Sequence, residues 1–149
     1  MTTPPFDPSA RVEKVATGAA WAEGPLWYPL EKVVRFSDIP NNRIIQLDPA
    51  TGETLVWKSG VNYTNGRAHH PDLGVVECNH GTRSLDKAPL VPFMDAEMLI
   101  DFFEGGRLNS PNDVAVHPIE HTIWFTDPPY GILSEGQGQP GEMEYGRSY

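Results

Sequence analysis

Glu23-Gly24-Pro25-Leu26-Trp27, Asn65-Gly66-Arg67-Ala68-His69 and Asn112-Asp113-Val114-Ala115-Val116 decide how this chain is read. Each places an acid or an amide just before a short strand, and the first residues are separated by 42 and then by 47 positions. A period of that size suits one blade of a β-propeller. A second echo runs in step. Phe36-Ser37-Asp38, Cys78-Asn79-His80 and Phe125-Thr126-Asp127 each close the following strand, and each final residue falls 15 positions after Glu23, Asn65 or Asn112.

A propeller blade is a four-stranded antiparallel sheet whose inner strand lines a central channel. All inner strands run the same way along the axis, so Glu23, Asn65 and Asn112 are expected at one mouth of that channel. Asp38, His80 and Asp127 are expected as a ring just outside them, or as caps on strand ends.

Working outward, apolar residues recur in short stretches between turn clusters, and nothing sustains helical spacing over three turns. The strands expected are Arg11–Thr17, Gly24–Tyr28, Lys32–Asp38, Arg43–Asp48, Thr54–Lys58, Arg67–His70, Gly74–Asn79, Met98–Phe102, Asp113–His117 and Thr122–Asp127. Asp86–Glu97 carries Pro89 and Pro92 and reads as a loop or edge strand. With 15 Pro, 14 Gly and 10% aromatic residues, the composition agrees with an all-β fold dense in turns.

At this period the 149 residues supply blade one (Glu23–Lys58), blade two (Asn65–Phe103) and the first strands of blade three. A propeller closes with roughly four to eight blades. The expectation is therefore a flexible arm over residues 1–10 and, over 11–149, about two and a half blades, the N-terminal half of a six-bladed propeller. Further C-terminal blades are needed to close it. Gly131–Gly146 reads as a surface excursion before a third strand near Tyr145.

The net charge is −9 with no run of Lys or Arg, which argues against nucleic acid and against an anionic membrane surface. No apolar run approaches the roughly 20 residues of a membrane span. Cys78 stands alone, so there is neither an intrachain disulfide nor a thiolate metal cluster, and the chain reads as cytoplasmic.

Several motifs together resemble the senescence-marker-protein/gluconolactonase/luciferin-regenerating-enzyme family, closest to its gluconolactonase branch. They are Trp21-Ala22-Glu23-Gly24-Pro25-Leu26-Trp27, Cys78-Asn79-His80-Gly81, Arg107-Leu108-Asn109-Ser110-Pro111-Asn112-Asp113-Val114 and Phe125-Thr126-Asp127-Pro128-Pro129-Tyr130-Gly131. The resemblance implies a six-bladed propeller that hydrolyses lactones or sugar-derived esters with an axial divalent metal, most often Ca²⁺, with Mg²⁺ or Mn²⁺ as alternatives. It makes Glu23 the blade-one metal carboxylate and Asn112 an amide at the metal or the substrate. The remaining ligands and the general base are expected beyond residue 149. Some relatives carry an Arg two positions before Asn112; here that position is Ser110, so their sugar preference does not transfer. A non-catalytic propeller segment or binding module is the alternative.

Carboxylate and amide oxygens are hard ligands of the kind Ca²⁺, Mg²⁺ and Mn²⁺ favour. Asn65 and His80 are expected with Asn112 among the substrate-binding residues, although Asn65-Gly66 is also the commonest hairpin signal and reads first as a turn. Asp113 is expected to point away from the axis. His69 and His70 are adjacent on a strand, face opposite ways and cannot chelate one ion. Cys78 and the four tryptophans are assigned to the core, and no Gly-x-Ser-x-Gly elbow supports a serine hydrolase.

Overall fold

The computed structural model describes residue 7 and residues 9–133. Two four-stranded antiparallel sheets follow one another along the chain. The first is built from β1 (Ala22–Tyr28), β2 (Val33–Asp38), β3 (Arg43–Leu47) and β4 (Thr54–Ser59), paired in that order. The second repeats the plan with β5 (Thr64–His70), β6 (Gly74–Asn79), β7 (Ser84–Lys87) and β8 (Glu97–Ile100). A small hairpin of β9 (Phe102–Phe103) and β10 (Gly106–Arg107) leads to a third unit, in which β11 (Val114–Val116) pairs with β12 (Ile123–Phe125). One short helix, α1 (Tyr130–Leu133), ends the described chain. The chain is all-β, with two complete propeller blades and the first strands of a third, the N-terminal part of a propeller.

The inner strands approach closely because their crossing points lack side chains. A Cβ on Gly24 would lie 2.2 Å from the Asn65 carbonyl oxygen, and one on Gly66 would lie 2.7 Å from that of Asn112. Gly24 also holds φ +53°, in the left-handed region that glycine tolerates best. In place of a side-chain contact, the Gly66 amide donates to the Asn112 carbonyl at 2.8 Å. β1 and β5 both shift register at this level, between Glu23 and Leu26 and between Thr64 and Arg67. Such bulges re-aim side chains at a strand end.

The two seams between blades differ in chemistry. Val76, Cys78, Leu85 and Val114 form a buried apolar cluster joining blade two to blade three, with Ile123 and Phe125 packed against it. Between blades one and two lie the buried polar groups Arg35, Arg67, Glu77 and Asp86. Arg67 donates to Ser37 Oγ at 2.7 Å, and Ser37 Oγ donates to the Asn65 carbonyl at 2.9 Å. Arg35 sits between the rings of Tyr28 and Trp57 and pairs with Glu31.

Several expectations are corrected. Arg11–Thr17 is not a strand: it has no ladder partner among the described residues, and its Val12 and Val15 are exposed. The segment expected over Met98–Phe102 breaks at Asp101 into β8 and β9. Asp86–Glu97 begins inside β7 and ends where β8 starts, with a loop between. The tryptophans are not core residues. Trp21, Trp27 and Trp124 are exposed, and Trp57 is half-buried against Arg35. His69 and His70 do part, His69 to the Trp27 carbonyl at 2.7 Å and His70 to that of His121 at 3.0 Å. Cys78 is fully buried, and burial pushes its thiol pKa well up. The expected arm, apart from its last few residues, and the expected strand near Tyr145 lie outside the described residues.

Candidate functional site

The lead-in to each inner strand is fixed by a side chain that accepts its backbone amides. Asp38 Oδ1 accepts from Ala20 at 2.9 Å and Trp21 at 3.3 Å, while its Oδ2 takes Asn41 and Arg43, each at 2.8 Å. Asp127 Oδ2 accepts the Asn109 amide at 2.7 Å. Asp38 and Asp127 each reach 18 residues back along the chain to do this. Burial alone would raise the Asp38 pKa, but its donors together hold it below the ordinary carboxylate range. Asp127, with fewer donors, is pushed upward by burial.

Blade two solves the same problem differently. Asn42, from the turn between β2 and β3, accepts the amides of Val61 at 3.0 Å and Tyr63 at 2.9 Å, just ahead of Asn65. His80, at the position equivalent to Asp38 and Asp127, is therefore released from that task. Its imidazole turns inward, and Nε2 lies 3.1 Å from Asn65 Nδ2. Of the two expectations for this set, the ring fails for Asp38 and Asp127, which hold backbone amides as caps do, and His80 alone of the three reaches the cavity.

Trp21, Glu23, Ile39, Asn65, His80, Asn112 and Tyr130 line a cavity of about 330 Å³ at the common end of the inner strands. Asn65 is not in a turn. It is 2% exposed within β5, and its Nδ2 donates to Asn112 Oδ1 at 2.6 Å. Glu23 is half-buried, and its Oε1 accepts the Trp21 indole N–H at 3.2 Å. Burial pushes the His80 pKa down, partly opposed by a hydrogen bond with Asn112, so the ring is neutral near pH 7. Asp113 is exposed and bonds its neighbour's amide, clear of this group.

Sequence reasoning had singled out Glu23, Asn65, His80 and Asn112, and the structure gathers all four around one cavity. It had missed Trp21, Ile39 and Tyr130. The signal for Tyr130 lay in the following Gly131, where a Cβ would meet His80 Cβ at 2.6 Å and Ser110 Cβ at 2.8 Å. A glycine that tight marks a turn pressed onto the site wall.

The donor set is one carboxylate and amide oxygens beside a neutral imidazole, with no thiolate. Asn112 Oδ1 is turned into the cavity, where it accepts the Asn65 amide, and Glu23 retains acceptor capacity beyond the indole. Hard-cation ligation by Glu23 and Asn112 fits those oxygens. Among the described residues, no three of His, Cys, Asp or Glu converge as a metal group. No helix among them is long and apolar enough to cross a membrane.

Comparison with known proteins gives consistent relationships. A family model for the SMP-30/Gluconolactonase/LRE-like region matches residues 21–144. The gluconolactonase of Zymomonas mobilis subsp. mobilis is 29% identical over 94% of this chain and 42% of its own length. The solved structure of a gluconolactonase from Xanthomonas campestris is 33% identical, with a TM-score of 0.79 over 87% of this chain and 42% of that one. A further crystal structure, described provisionally as a gluconolactonase, is 35% identical, with a TM-score of 0.82 over 93% of this chain and 47% of that one. This chain spans less than half the length of each.

Proposed function

Because this chain belongs to the SMP-30/Gluconolactonase/LRE-like family, we propose that it supplies part of the active site of a metal-dependent hydrolase of lactones or sugar-derived esters. The observation that carries the proposal is the convergence of Glu23, Asn65, His80 and Asn112, from three successive blades, on one cavity. A lactone is a small, uncharged ring whose reaction builds negative charge on the carbonyl oxygen. Such a site needs a few placed polar groups and somewhere for that charge to go.

In this reading Glu23 and Asn112 hold a divalent cation, Ca²⁺ first and Mg²⁺ or Mn²⁺ as alternatives. When bound, such an ion supplies Lewis-acid polarisation and acidifies water. Asn65 holds Asn112 in place through its amide, and His80, neutral and buried, completes the polar wall that receives the substrate. Trp21 orients the Glu23 carboxylate through its indole. Further ligands and the general base are assigned to blades after residue 149, so the 149-residue chain alone is expected to be a poor catalyst. One unpaired cysteine is in keeping with a cytoplasmic setting.

The test is lactone hydrolysis by the protein carrying all its blades, followed with D-glucono-1,5-lactone in a pH-stat, with and without EDTA. Loss of turnover with EDTA and recovery with CaCl₂ are expected. Full turnover in EDTA would remove the metal from the proposal, and no hydrolysis of any lactone would overturn the enzyme reading.

A further inference from the structure

Tyr130 is 56% exposed, yet the residues after it are packed tightly. Gly131 and Ile132 are buried, Ile132 being 3% exposed. Ser110, with no exposed surface, donates from Oγ to the Pro128 carbonyl at 2.6 Å and accepts the Gly131 amide at 2.8 Å. A Cβ at 131 would strike His80 and Ser110, so the turn is pressed against the wall of the cavity without slack. Its position is thus set by Ser110, Gly131 and Ile132, and Tyr130 is carried to the rim without being needed to bury the turn. A large aromatic held at a polar cavity in this way is available for contact with a guest.

We propose that Tyr130 is a specificity-determining residue of this cavity, selecting ring substrates that carry hydroxyl groups over plain rings of the same size. The inference rests on the cavity being the lactone site. A phenol ring offers an apolar face for ring C–H groups and a hydroxyl that both donates and accepts, so one side chain meets both halves of a polyhydroxylated ring. Ser110 is a positioning residue: its two hydrogen bonds fix the turn before any ligand arrives, which spares the ordering cost on binding.

Two cyclic amides that resist hydrolysis separate this from the function itself. D-gluconolactam carries the ring hydroxyls, and 2-piperidone is the same six-membered ring without them. Their dissociation constants are measured by calorimetry or ligand-observed NMR on the protein with all its blades, in CaCl₂, for the parent protein, Tyr130→Ala, Tyr130→Phe, Ser110→Ala and Glu23→Gln. Tyr130→Ala is expected to weaken gluconolactam at least tenfold and 2-piperidone, which has only ring C–H groups to lay on the phenol face, by a clearly smaller factor. Tyr130→Phe keeps the ring face and should lose about three- to tenfold for gluconolactam alone. Ser110→Ala should move the ratio of the two constants the same way, by a smaller factor. If Tyr130→Ala leaves that ratio unchanged while Glu23→Gln abolishes binding of both lactams, the role of Tyr130 is overturned and the site stands. If the parent protein binds neither lactam, both fall.

Discussion

Asn65 and Asn112 stand 47 residues apart in the chain, and their side-chain amides meet at 2.6 Å. Two inner strands are thereby tied together at the cavity by side chains, just as the Gly66 amide and Asn112 carbonyl tie them by backbone. The same Asn65 nitrogen lies 3.1 Å from His80 Nε2, so one buried amide touches both a proposed cation ligand and the wall proposed to receive substrate.

Removing that amide should therefore act twice. Asn65→Ala is expected to cost about 1–3 kcal/mol of stability, the range for leaving buried partners unpaired. It should also lower kcat/KM by freeing Asn112. Asn112→Ala should damage kcat/KM more, by roughly a hundredfold, as for a lost group at the developing charge, with a smaller fall in melting temperature. Kinetics and thermal melts of both variants check this; the reverse order would exchange their roles.

Glu23→Gln should abolish lactone hydrolysis with little loss of fold, since the carboxylate is half-buried and accepts from the exposed Trp21 indole. Its clearest sign needs no substrate. Calcium raises the stability of a protein that binds it by an amount set by ligand concentration over Kd, and that increment should shrink in Glu23→Gln. An unchanged increment would place the cation elsewhere.

Two buried aspartates should respond to pH with opposite signs. Asp38 is held below the ordinary carboxylate range, so its contribution is present at neutral pH and is lost as pH falls through its folded pKa. Asp38→Asn is expected to cost about 2–3 kcal/mol at pH 7, as for hydrogen bonds to a charged group, and the gap to the parent should narrow in acid. Asp86 is raised by burial, so its ionised form burdens the fold at neutral pH and the burden disappears below the unfolded pKa. Asp86→Asn should gain about 1 kcal/mol at pH 7 and nothing in acid. Urea midpoints at pH 7 and pH 2.5 would decide; matching signs would refute the assignment.

Gly24→Ala should be among the most damaging single-methyl additions in the chain. The new carbon would sit 2.2 Å from the Asn65 oxygen at φ +53°, so both sterics and backbone conformation oppose it. A loss of about 3 kcal/mol, the upper end for overpacking, is expected. The same change at Gly52, which has open space around it, should be limited to the strain of its φ of +75°. Denaturation midpoints of the pair separate crowding from conformation.

The 149-residue polypeptide by itself should self-associate. Trp124 is 70% exposed on the open face of blade three, where Ala115 is also uncovered, and exposed apolar faces of this kind promote association. Light scattering coupled to size exclusion should show species above the monomer mass. Trp124→Glu should shift the distribution toward monomer, and a monomeric parent at tens of micromolar would count against this account.

Much of this was legible because blades repeat. β1 to β4 and β6 follow from short apolar runs between Pro, Asn and Gly turns, β5 from its place in the repeat, and the 15-residue echo placed Asp38, His80 and Asp127 at equivalent strand ends. β7 escaped notice because Ser84-Leu85-Asp86-Lys87 is polar save for Leu85: the seam with blade one is itself polar, so Ser84 and Asp86 are buried without being apolar. His80 was named among the substrate-binding residues, but the cause of its inward turn was hidden. That turn depends on Asn42 taking over a neighbouring blade's amides, a substitution of tasks between distant residues that local patterns do not record. Asn65-Gly66 misled because its glycine serves close strand approach, a need that produces the same dipeptide as a hairpin.

The unlike seams give the molecule an internal order of opening. Blades two and three share a dry apolar cluster through Val76, Cys78, Leu85 and Val114, and their amides should exchange with solvent deuterium only on cooperative unfolding. Blade one meets its neighbour largely through Arg67, Glu77 and Asp86, groups that water can satisfy once the seam parts. Its amides should exchange through a smaller, earlier fluctuation. Glu23 rides on the looser blade and Asn112 on the firmer pair, so the width of the cavity between them is a breathing coordinate.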